Sequence, residues 1–523
     1  MHKNFLEKMT NKDTFKDLYV LDIANNHFGS ITHAKKIIER FSKIVKKYKI
    51  SAAFKFQFRN LETFVHKNFI NSDQKYVRRF LDTKLSDQDF TKLIKIIKRK
   101  KILTACTPFD EVSVTKIERL NLDIIKIASV SALDFNLHER VVKNKIPKII
   151  STGGVKIEDI DKIVSFYKKM NQKFAIMHCV SLYPSQSDQL QIGIIKDLID
   201  RYNDVPIGWS THEAPEDFKP SVLALAKGAQ IFEKHIGISS KKFGLNNYSI
   251  TPQLFEDWYL NILENKKILG NDKKKIITKK EISTIDSLQR GVYAKRNIKL
   301  NEKLVLNKNV YFAFPLQKGQ LTSSKLKGHI LSKSEIKKND SIKNKKIKFD
   351  QQLIYEHKIG SYVHKAKALL NYAKIQMSEI FDMEISHHDG IKNFNKVGCY
   401  LFNIINKEYA KKLIVMLPNQ KHPLHFHKKK SESFIILHGS LKLIDNKKSY
   451  KLNPGDVVHL RKNSWHRFTA GIKGCIFEEI SSTSLADDSF YYKRSIKKLQ
   501  RDKRKTYINN WYSLKKEKFV KKI

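Results

Sequence analysis

The feature that most constrains the fold is a regular alternation of apolar runs with helical segments in the first half of the chain. Eight short runs of apolar or β-branched residues follow one another there, namely Tyr19–Ala24, Ala52–Phe58, Ile102–Phe109, Ile124–Ser129, Lys148–Gly154, Phe174–Val180, Pro206–His212 and Ile231–Ile236. Segments with helical periodicity separate most of them, including Thr32–Tyr48, Gln88–Lys98, Ile157–Met170 and Leu190–Tyr202. This alternation predicts an α/β fold, a (β/α)8 TIM barrel. A doubly wound open sheet is disfavoured because no GxGxxG follows any of the strands.

Polar side chains collect towards the C-terminal ends of these predicted strands. They are Asp22, Lys55, Gln57, Thr107, Lys126, Ser129, Ser151, His178, Ser181, Ser210, His212 and His235. In a barrel these ends meet at one mouth, where barrel enzymes hold their catalytic groups. A charged side chain within an apolar strand is costly to bury without a partner or ligand. One lysine could simply extend to solvent, but two lysines and two histidines at equivalent strand ends predict a functional site.

The residue types at this mouth suit an anionic ligand. Lysines supply positive charge, and the serine hydroxyls and the Gly153-Gly154 loop supply directional donors, a combination that fits a phosphate plus a carboxylate. His212 and His235, from neighbouring strands, could hold a divalent metal through neutral imidazoles. Two histidines alone also allow a purely structural role.

Eight segments together point to one known protein family. They are "LDIANNHFGS", "FKFQ", "TPFD", "IKIAS", "ISTGG", "MHCVSLYP", "IGWSTH" and "EKHIG". In order and approximate spacing, the chain resembles the N-acetylneuraminate (sialic acid) synthase family over residues 18–270. The stretch that starts at "RGVYAKRNIKLNEKL" and runs to residue 347 resembles the small antifreeze-like (SAF) domain of these enzymes.

The resemblance implies condensation of phosphoenolpyruvate with an open-chain N-acetylated amino sugar. Phosphate would leave by C–O cleavage, and the product would be a sialic-acid-type nonulosonate for surface glycans. It places Mn²⁺ or Mg²⁺ at His212 and His235, where the metal polarises the aldehyde. It also assigns catalytic positions to Asp22, Lys55 and Lys126. The implied ligand-binding residues are Ser151, Ser181 and Ser210 with both lysines for phosphoenolpyruvate, and Gln57, Thr107, Ser129, Tyr183 and Asn246 around the site.

Several positions depart from the family pattern, and the three lost acids and the lost arginine among them fall on the side of the acceptor sugar. Asp22 replaces a glutamate, Thr211 the aspartate of "SDH", Asn246 another carboxylate, Ser131 a glutamate, and Phe314 the SAF arginine. The phosphoenolpyruvate side is largely kept. We therefore expect the same carbon–carbon chemistry on a different acceptor, such as a less polar 6-deoxy or diacetamido sugar. The alternative is a catalytically inactive barrel that serves as a sugar-binding scaffold.

A second motif set lies in the C-terminal part. "HFHKKKSESFIILHG" gives His425-x-His427-x4-Glu432, and "NPGDVVHLRKNSWHRF" supplies His466. His425 and His427 alternate by two, so both point to one face of a strand, and the set suits Fe, Mn, Ni or Zn. The spacing resembles the metal cupins of sugar and sugar-phosphate isomerases, which implies a cupin barrel with a second metal. Its role is left open between isomerising or epimerising, binding or sensing a sugar.

The length of 523 residues predicts several domains. The predicted divisions are a synthase-like barrel over 1–275, an SAF domain over 283–347, a linker over 348–393 with a helix around Val363–Phe381, a cupin over 394–485 and a basic extension over 486–523. In the family the SAF domain caps a partner's barrel mouth, so we expect a homodimer.

The formal net charge is +48, but the lysines occur along the whole chain rather than in one stripe. With no zinc-finger spacing or ribonucleoprotein motif, nucleic-acid binding is not expected as the main role. A contact of the basic tail with RNA or an acidic membrane surface is a minor alternative. No apolar run approaches the ~20 residues of a membrane span, and residues 1–17 lack the apolar core of a signal peptide, so we expect a cytoplasmic protein. The four cysteines are expected to be buried free thiols.

Overall fold

The computed structural model describes residues 11–270, 275–326, 330–349, 351–378, 380–482, 484–485, 487–509 and 511. The chain divides into two compact units, residues 1–275 and 276–523. No helix among the described residues is long and apolar enough to span a membrane. All four cysteines are free and buried, as the sequence predicted.

The first unit is a closed barrel of eight parallel strands in sequence order. The strands are β1 (Leu18–Asp22), β2 (Ala52–Phe58), β3 (Leu103–Pro108), β4 (Ile124–Ile127), β5 (Lys148–Ser151), β6 (Phe174–Cys179), β7 (Ile207–Ser210) and β8 (Ile231–His235). β8 closes the barrel against β1, with Asp22 directly beside His235 in the register. The predicted (β/α)8 fold is confirmed. β1 begins one residue before its predicted run, at Leu18, and each of the other seven strands lies within the apolar run that predicted it.

The helices of this unit occupy the segments before, between and after the strands. They are α1 (Asn11–Thr14), α2 (Ile31–Lys47), α3 (Leu61–Phe64), α4 (Lys75–Asp82), α5 (Asp87–Arg99), α6 (Glu111–Arg119), α7 (Phe135–Val141), α8 (Ile157–Lys169), α9 (Ile194–Arg201), α10 (Lys219–Ala226) and α11 (Pro252–Leu269). Several begin at a side-chain cap: the Ser30 side chain accepts from the His33 N–H at the start of α2, and Asp110 accepts from Ser113 at the start of α6.

Small and medium apolar side chains fill the inside of the barrel. This inner cluster includes Val20, Ala53, Ala105, Ile149 and Ala175, while a larger cluster packs the outer strand faces against the helices. Because side chains alternate along a strand, one set fills the interior and the other carries the helices. The interior is therefore a packed core, and the polar residues lie at its carboxyl end, which is called the mouth here.

The second unit begins with a small β region. It contains α12 (Lys279–Leu288) and two antiparallel pairs, β9 (Gly291–Ala294) with β10 (Val310–Ala313) and β11 (Ile330–Ser332) with β12 (Ile347–Phe349). Its apolar core includes Val292, Val310, Ile330 and Ile347.

An antiparallel β domain follows the long helix α13 (Gln351–Tyr372). Its strands are β13 (Met383–Ser386), β14 (Cys399–Asn406), β15 (Tyr409–Met416), β16 (His425–Phe426), β17 (Glu432–Asp445), β18 (Lys448–Leu452), β19 (Val457–Leu460), β20 (His466–Ser482), β21 (Phe490–Tyr491) and β22 (Lys505–Ile508), with short helices α14 (Arg494–Lys497) and α15 (Arg501–Arg504). The main path runs β18-β17-β20-β15-β14-β13-β22. This arrangement is consistent with the predicted cupin barrel.

Two predicted boundaries differ from the structure. The helix expected around Val363–Phe381 ends at Tyr372, and Lys374 has a positive φ of 57° that ends the helical path. The β domain extends beyond 394–485, because β13 pairs with β22 within the segment interpreted as a terminal extension. Trp511 is also buried, against Phe402. The tail therefore supplies part of this domain's core, a role that its basic composition did not indicate.

Candidate active site and metal centre

The barrel mouth brings four charged side chains together in the protein interior. Asp22, Lys55, Lys126 and Glu233 come from β1, β2, β4 and β8, and all four are at least 96% buried (1%, 4%, 2% and 4% exposed). Their strands are neighbours or face one another across the barrel. The fold thus places two lysines and two carboxylates at one point.

Glu233 links the two lysines. Its Oε1 lies 2.9 Å from Lys55 Nζ and its Oε2 lies 2.8 Å from Lys126 Nζ. Lys55 Nζ also lies 3.0 Å from Asp22 Oδ2, and the Ser210 hydroxyl donates to Glu233 Oε1 at 3.4 Å. A buried charge needs a partner, and each charged group of this set has at least one.

The network changes the protonation behaviour of its members in different directions. Burial lowers the pKa of Lys126, and Glu233 opposes the effect only in part. Burial also acts to lower the pKa of Lys55, but the two carboxylates outweigh it and raise that pKa above its usual value. Burial would raise the pKa of Glu233, yet the two ammonium groups hold it well below its ordinary value. Glu233 is therefore ionised and fixes both cations.

His212 and His235 lie side by side at the same mouth, with ring centroids 5.4 Å apart. His212 Nδ1 lies 3.0 Å from the Val180 carbonyl oxygen, which suits an Nδ1–H donor and leaves Nε2 as a lone pair. His235 Nδ1 lies 3.5 Å from Asp22 Oδ2. Burial lowers the pKa of His212 to about 3 and lowers that of His235. Both imidazoles are thus neutral near pH 7, the form that binds a metal.

A pocket of hydroxyl groups surrounds Gly153. The Gly153 N–H donates to Ser129 Oγ at 3.0 Å, and a Cβ placed on Gly153 would lie 2.3 Å from Ser181 Oγ. Only glycine fits here without displacing the serines. Ser151, at the end of β5, is also buried and lies two positions before Gly153 in the sequence.

The other predicted residues take different positions. Gln57 Nε2 donates to Asp22 Oδ2 at 3.4 Å, whereas Thr107 Oγ1 is buried without a hydrogen-bond partner among the described residues. Tyr183 is 54% exposed and packs on His212, with ring centroids 4.2 Å apart. Asn246 donates to Asn26 Oδ1 at 3.3 Å.

Sequence reasoning missed Glu233 and Arg59. Glu233 lies between Phe232 and Lys234 in the β8 run, and an acidic residue inside an apolar strand was the signal that could have identified it. Arg59 follows β2, donates to Gln57 Oε1 at 3.2 Å, and lines a cavity of about 470 Å³ with Asn25 and His27. Arg59 Nε is buried without a hydrogen-bond partner in the described part of the chain.

The β domain holds a second cluster, formed by His425, His427 and His466. Their ligand atoms all lie within 4.8 Å of one another. Glu432 Oε1 lies 3.4 Å from His427 Nε2, and Glu432 Oε2 lies 3.3 Å from His466 Nε2. The four predicted cupin residues are therefore brought together.

The orientation of the three imidazoles favours metal binding. His425 Nδ1 lies 3.0 Å from the Pro423 carbonyl oxygen and His466 Nδ1 lies 2.9 Å from that of Ser464, while His427 Nδ1 contacts the Asp488 carbonyl. Each Nδ1–H has an acceptor, which leaves each Nε2 lone pair for a ligand bond. Burial lowers the pKa of His427 to about 4.

Both donor sets fit a metal, to different degrees. In the cupin, the buried atoms His466 Nε2 and Glu432 Oε2 have no hydrogen-bond partner among the described residues, as expected of atoms reserved for an ion. Three imidazoles with a carboxylate suit a transition metal. In the barrel, His212 and His235 fit as two neutral donors. There the described residues do not form a group of three ligands.

The fold and these two sites define a class: a TIM barrel with buried lysines and carboxylates at its mouth, followed by a cupin domain with three histidines that could hold a metal. Comparison with known proteins agrees with this class. The NeuB family model matches residues 45–274, and the cupin domain model matches residues 412–472. The chain belongs to the NeuB family, with a cupin domain towards its C-terminus.

Individual relatives match between half and two thirds of this chain. The chain is 30% identical to an uncharacterised protein of Methanocaldococcus jannaschii over 55% of this chain and 82% of that protein. It is 25% identical to the human (Homo sapiens) N-acetylneuraminate-9-phosphate synthase over 55% of this chain and 80% of the relative. A crystal structure assigned as spore coat polysaccharide biosynthesis protein E from Chromobacterium violaceum is 38% identical, with a TM-score of 0.60, and covers 64% of this chain and 100% of that one.

Proposed function

We propose that the barrel condenses phosphoenolpyruvate with an open-chain N-acetylated aldose to form a sialic-acid-type nonulosonate, with release of phosphate. The observation that carries the proposal is the pair of buried lysines, Lys55 and Lys126, which Glu233 fixes beside two neutral imidazoles. The similarity to a synthase of N-acetylneuraminate 9-phosphate supports the reaction class.

The lysines and the Gly153 pocket suit the two anionic groups of phosphoenolpyruvate. Lys55 and Lys126 supply the positive charge, and the hydroxyls of Ser129 and Ser181 supply directional contacts around Gly153. Because Glu233 already holds both ammonium groups in place, they need little rearrangement when the anion binds. Donors that are oriented in advance stabilise developing charge better than mobile ones.

His212 and His235 would hold the Mn²⁺ or Mg²⁺ ion of this reaction. When bound, the ion supplies Lewis-acid polarisation of the acceptor aldehyde. Asp22 contacts both His235 and Lys55, so this carboxylate fixes the imidazole and the ammonium relative to each other.

The cavity beside Gln57 is our proposed acceptor site. Its volume is about 470 Å³, and Arg59 and His27 contribute polar groups to its wall. Asn246, which replaces an acid of the family pattern, is neutral and hydrogen-bonded to Asn26. These features favour an acceptor such as a 6-deoxy or diacetamido sugar.

The decisive assay measures phosphate release from phosphoenolpyruvate with Mn²⁺ or Mg²⁺ across N-acetylmannosamine and its 6-deoxy and diacetamido relatives. We expect release with one sugar, and its loss in His235→Ala. His178→Gln is the matched control, since His178 is also a strand-end histidine but is bonded to the Leu190 carbonyl at 2.9 Å. If no sugar supports phosphate release, the alternative is favoured, in which the barrel is inactive and binds a sugar while the cupin domain holds the active site.

We also propose a homodimer, with residues 283–347 as an SAF domain that completes the partner's site. Light scattering tests this directly. A mass near twice 61.1 kDa is expected, and the mass of a single chain at working concentration would contradict it.

A further inference from the structure

The cupin site contains a buried lysine next to its candidate metal ligands. Lys430 is 4% exposed, and its Nζ contacts Glu432 Oε1 closely and lies 2.7 Å from Glu479 Oε1. The adjacent Lys428 and Lys429 are exposed. Of three consecutive lysines, only the third thus enters the ligand cluster.

Lys430 changes the charge balance of this cluster. Glu479 is paired with Lys430 and, at 3.3 Å, with Lys412, so two lysines face the two carboxylates Glu432 and Glu479. The Asp488 carboxylate lies elsewhere, where it accepts the backbone N–H groups of residues 428–430. The carboxylate that would offset a metal's charge is therefore already paired with a lysine.

Three neutral imidazoles add no negative charge to a bound divalent ion. With Glu432 shared between the ion and Lys430, most of the ion's charge stays uncompensated in a buried environment. Uncompensated charge in a low-dielectric site is costly and attracts an anion.

We infer that the metal-loaded cupin takes a small anion, a carboxylate or a phosphate, as its ligand in preference to a neutral sugar. Among sugars it favours an acidic one. The proposed barrel reaction involves two sugars, a neutral acceptor and an acidic product. The cupin should therefore bind the acidic product more tightly than the neutral acceptor. That last identification rests on the proposed function, whereas the preference for an anion does not.

The test uses the full chain with His212→Ala and His235→Ala, which confines metal to the cupin. The protein is loaded with Co²⁺, and its visible absorption is followed during titration with pyruvate, N-acetylneuraminate, inorganic phosphate and N-acetylmannosamine. We expect either carboxylate to shift the spectrum and N-acetylmannosamine to leave it unchanged. A comparison of phosphate with the carboxylates shows which anion is preferred. Tighter binding of the neutral sugar, or no response to any anion, would overturn the inference. Because no barrel turnover is needed, an inactive barrel leaves this result interpretable.

Lys430→Met separates the role of this charge from a loss of folding. Removal of the ammonium is expected to raise Co²⁺ affinity and to lower carboxylate affinity, each by about tenfold. Misfolding would lower both. Lys429→Met, which removes the neighbouring exposed lysine, is the matched control and should change neither. Carboxylate affinity that is the same in Lys430→Met as in the control would refute the proposal.

Discussion

Lys126 and Glu233 form a buried ion pair in the barrel mouth, with Nζ 2.8 Å from Oε2, although 107 positions separate them in the sequence. The other oxygen of the same carboxylate lies 2.9 Å from Lys55 Nζ. A single side chain of β8 therefore positions cations from two other strands. A change at this carboxylate should disturb both lysines at once.

Glu233→Gln should abolish most of the phosphate release. The amide keeps the shape of the side chain but leaves two buried ammonium groups with less negative charge around them. We expect phosphoenolpyruvate-dependent phosphate release to fall about 100-fold or more. The free energy of unfolding should fall by about 3 kcal/mol, as measured by urea denaturation.

Glu213→Gln is the control for this substitution. Glu213 forms an equally buried pair with Lys234, at 2.9 Å, and Lys234 lies over the Trp258 ring rather than in the charged network of the mouth. Both variants should lose comparable stability. Equal losses of activity would contradict a special role for Glu233.

Gly153→Ala should weaken phosphoenolpyruvate binding. The added Cβ would lie 2.3 Å from Ser181 Oγ and 2.9 Å from Ser129 Oγ, so the hydroxyl groups must move. We expect KM for phosphoenolpyruvate to rise about tenfold, which corresponds to about 1.4 kcal/mol. Gly193→Ala, where a Cβ meets nothing within 4 Å, should leave steady-state kinetics unchanged. An unaltered KM in Gly153→Ala would remove this pocket from the proposed phosphoenolpyruvate site.

Arg59→Met should act on the acceptor sugar. Arg59 stacks on Phe109, with the guanidinium carbon 3.7 Å from the ring centroid, and burial lowers its pKa to about 10. We expect KM for the acceptor to rise about tenfold or more while KM for phosphoenolpyruvate is kept. Arg119→Met is the comparison, because Arg119 lines the same cavity but is paired with Asp87 and largely exposed. If only the KM for phosphoenolpyruvate rises, Arg59 contacts phosphoenolpyruvate rather than the acceptor sugar, and this prediction is wrong.

His27 should make barrel stability depend on pH. Burial, with the nearby His33, lowers its pKa from 6.5 to about 4. Between these values the unfolded chain binds a proton that the folded chain does not, so stability falls as the pH falls through this window. The contribution reaches at most about 1.4 kcal/mol per pH unit. The measurement is urea unfolding of the metal-free protein at pH 7 and at pH 5, monitored by hydrogen exchange of barrel peptides. The difference in the free energy of unfolding between the two pH values should be smaller in His27→Asn than in the wild type.

The sequence determined the order and type of the barrel elements. Runs such as Ala52–Phe58 and Ile231–His235 are strands because their apolar composition and length suit a buried parallel strand. Since the carboxyl ends of all the barrel strands meet at one mouth, the strand-end positions of Lys55, Lys126 and the two histidines were enough to predict their proximity. The spacing of His425, His427 and Glu432 likewise predicted the cupin cluster, because alternation along a strand fixes which side chains share a face.

Tertiary structure alone decided which charged side chains meet. Glu233 and Lys234 are adjacent in sequence, yet one enters the mouth network and the other pairs with Glu213, and only the closed barrel assigns their faces. Lys430 turns inward while Lys429 stays exposed, and β22 returns to pair with β13 from the end of the chain. Local periodicity reports which residues can be buried, but the partners of a buried charge depend on strand register across long sequence separations, and folding alone brings those positions together.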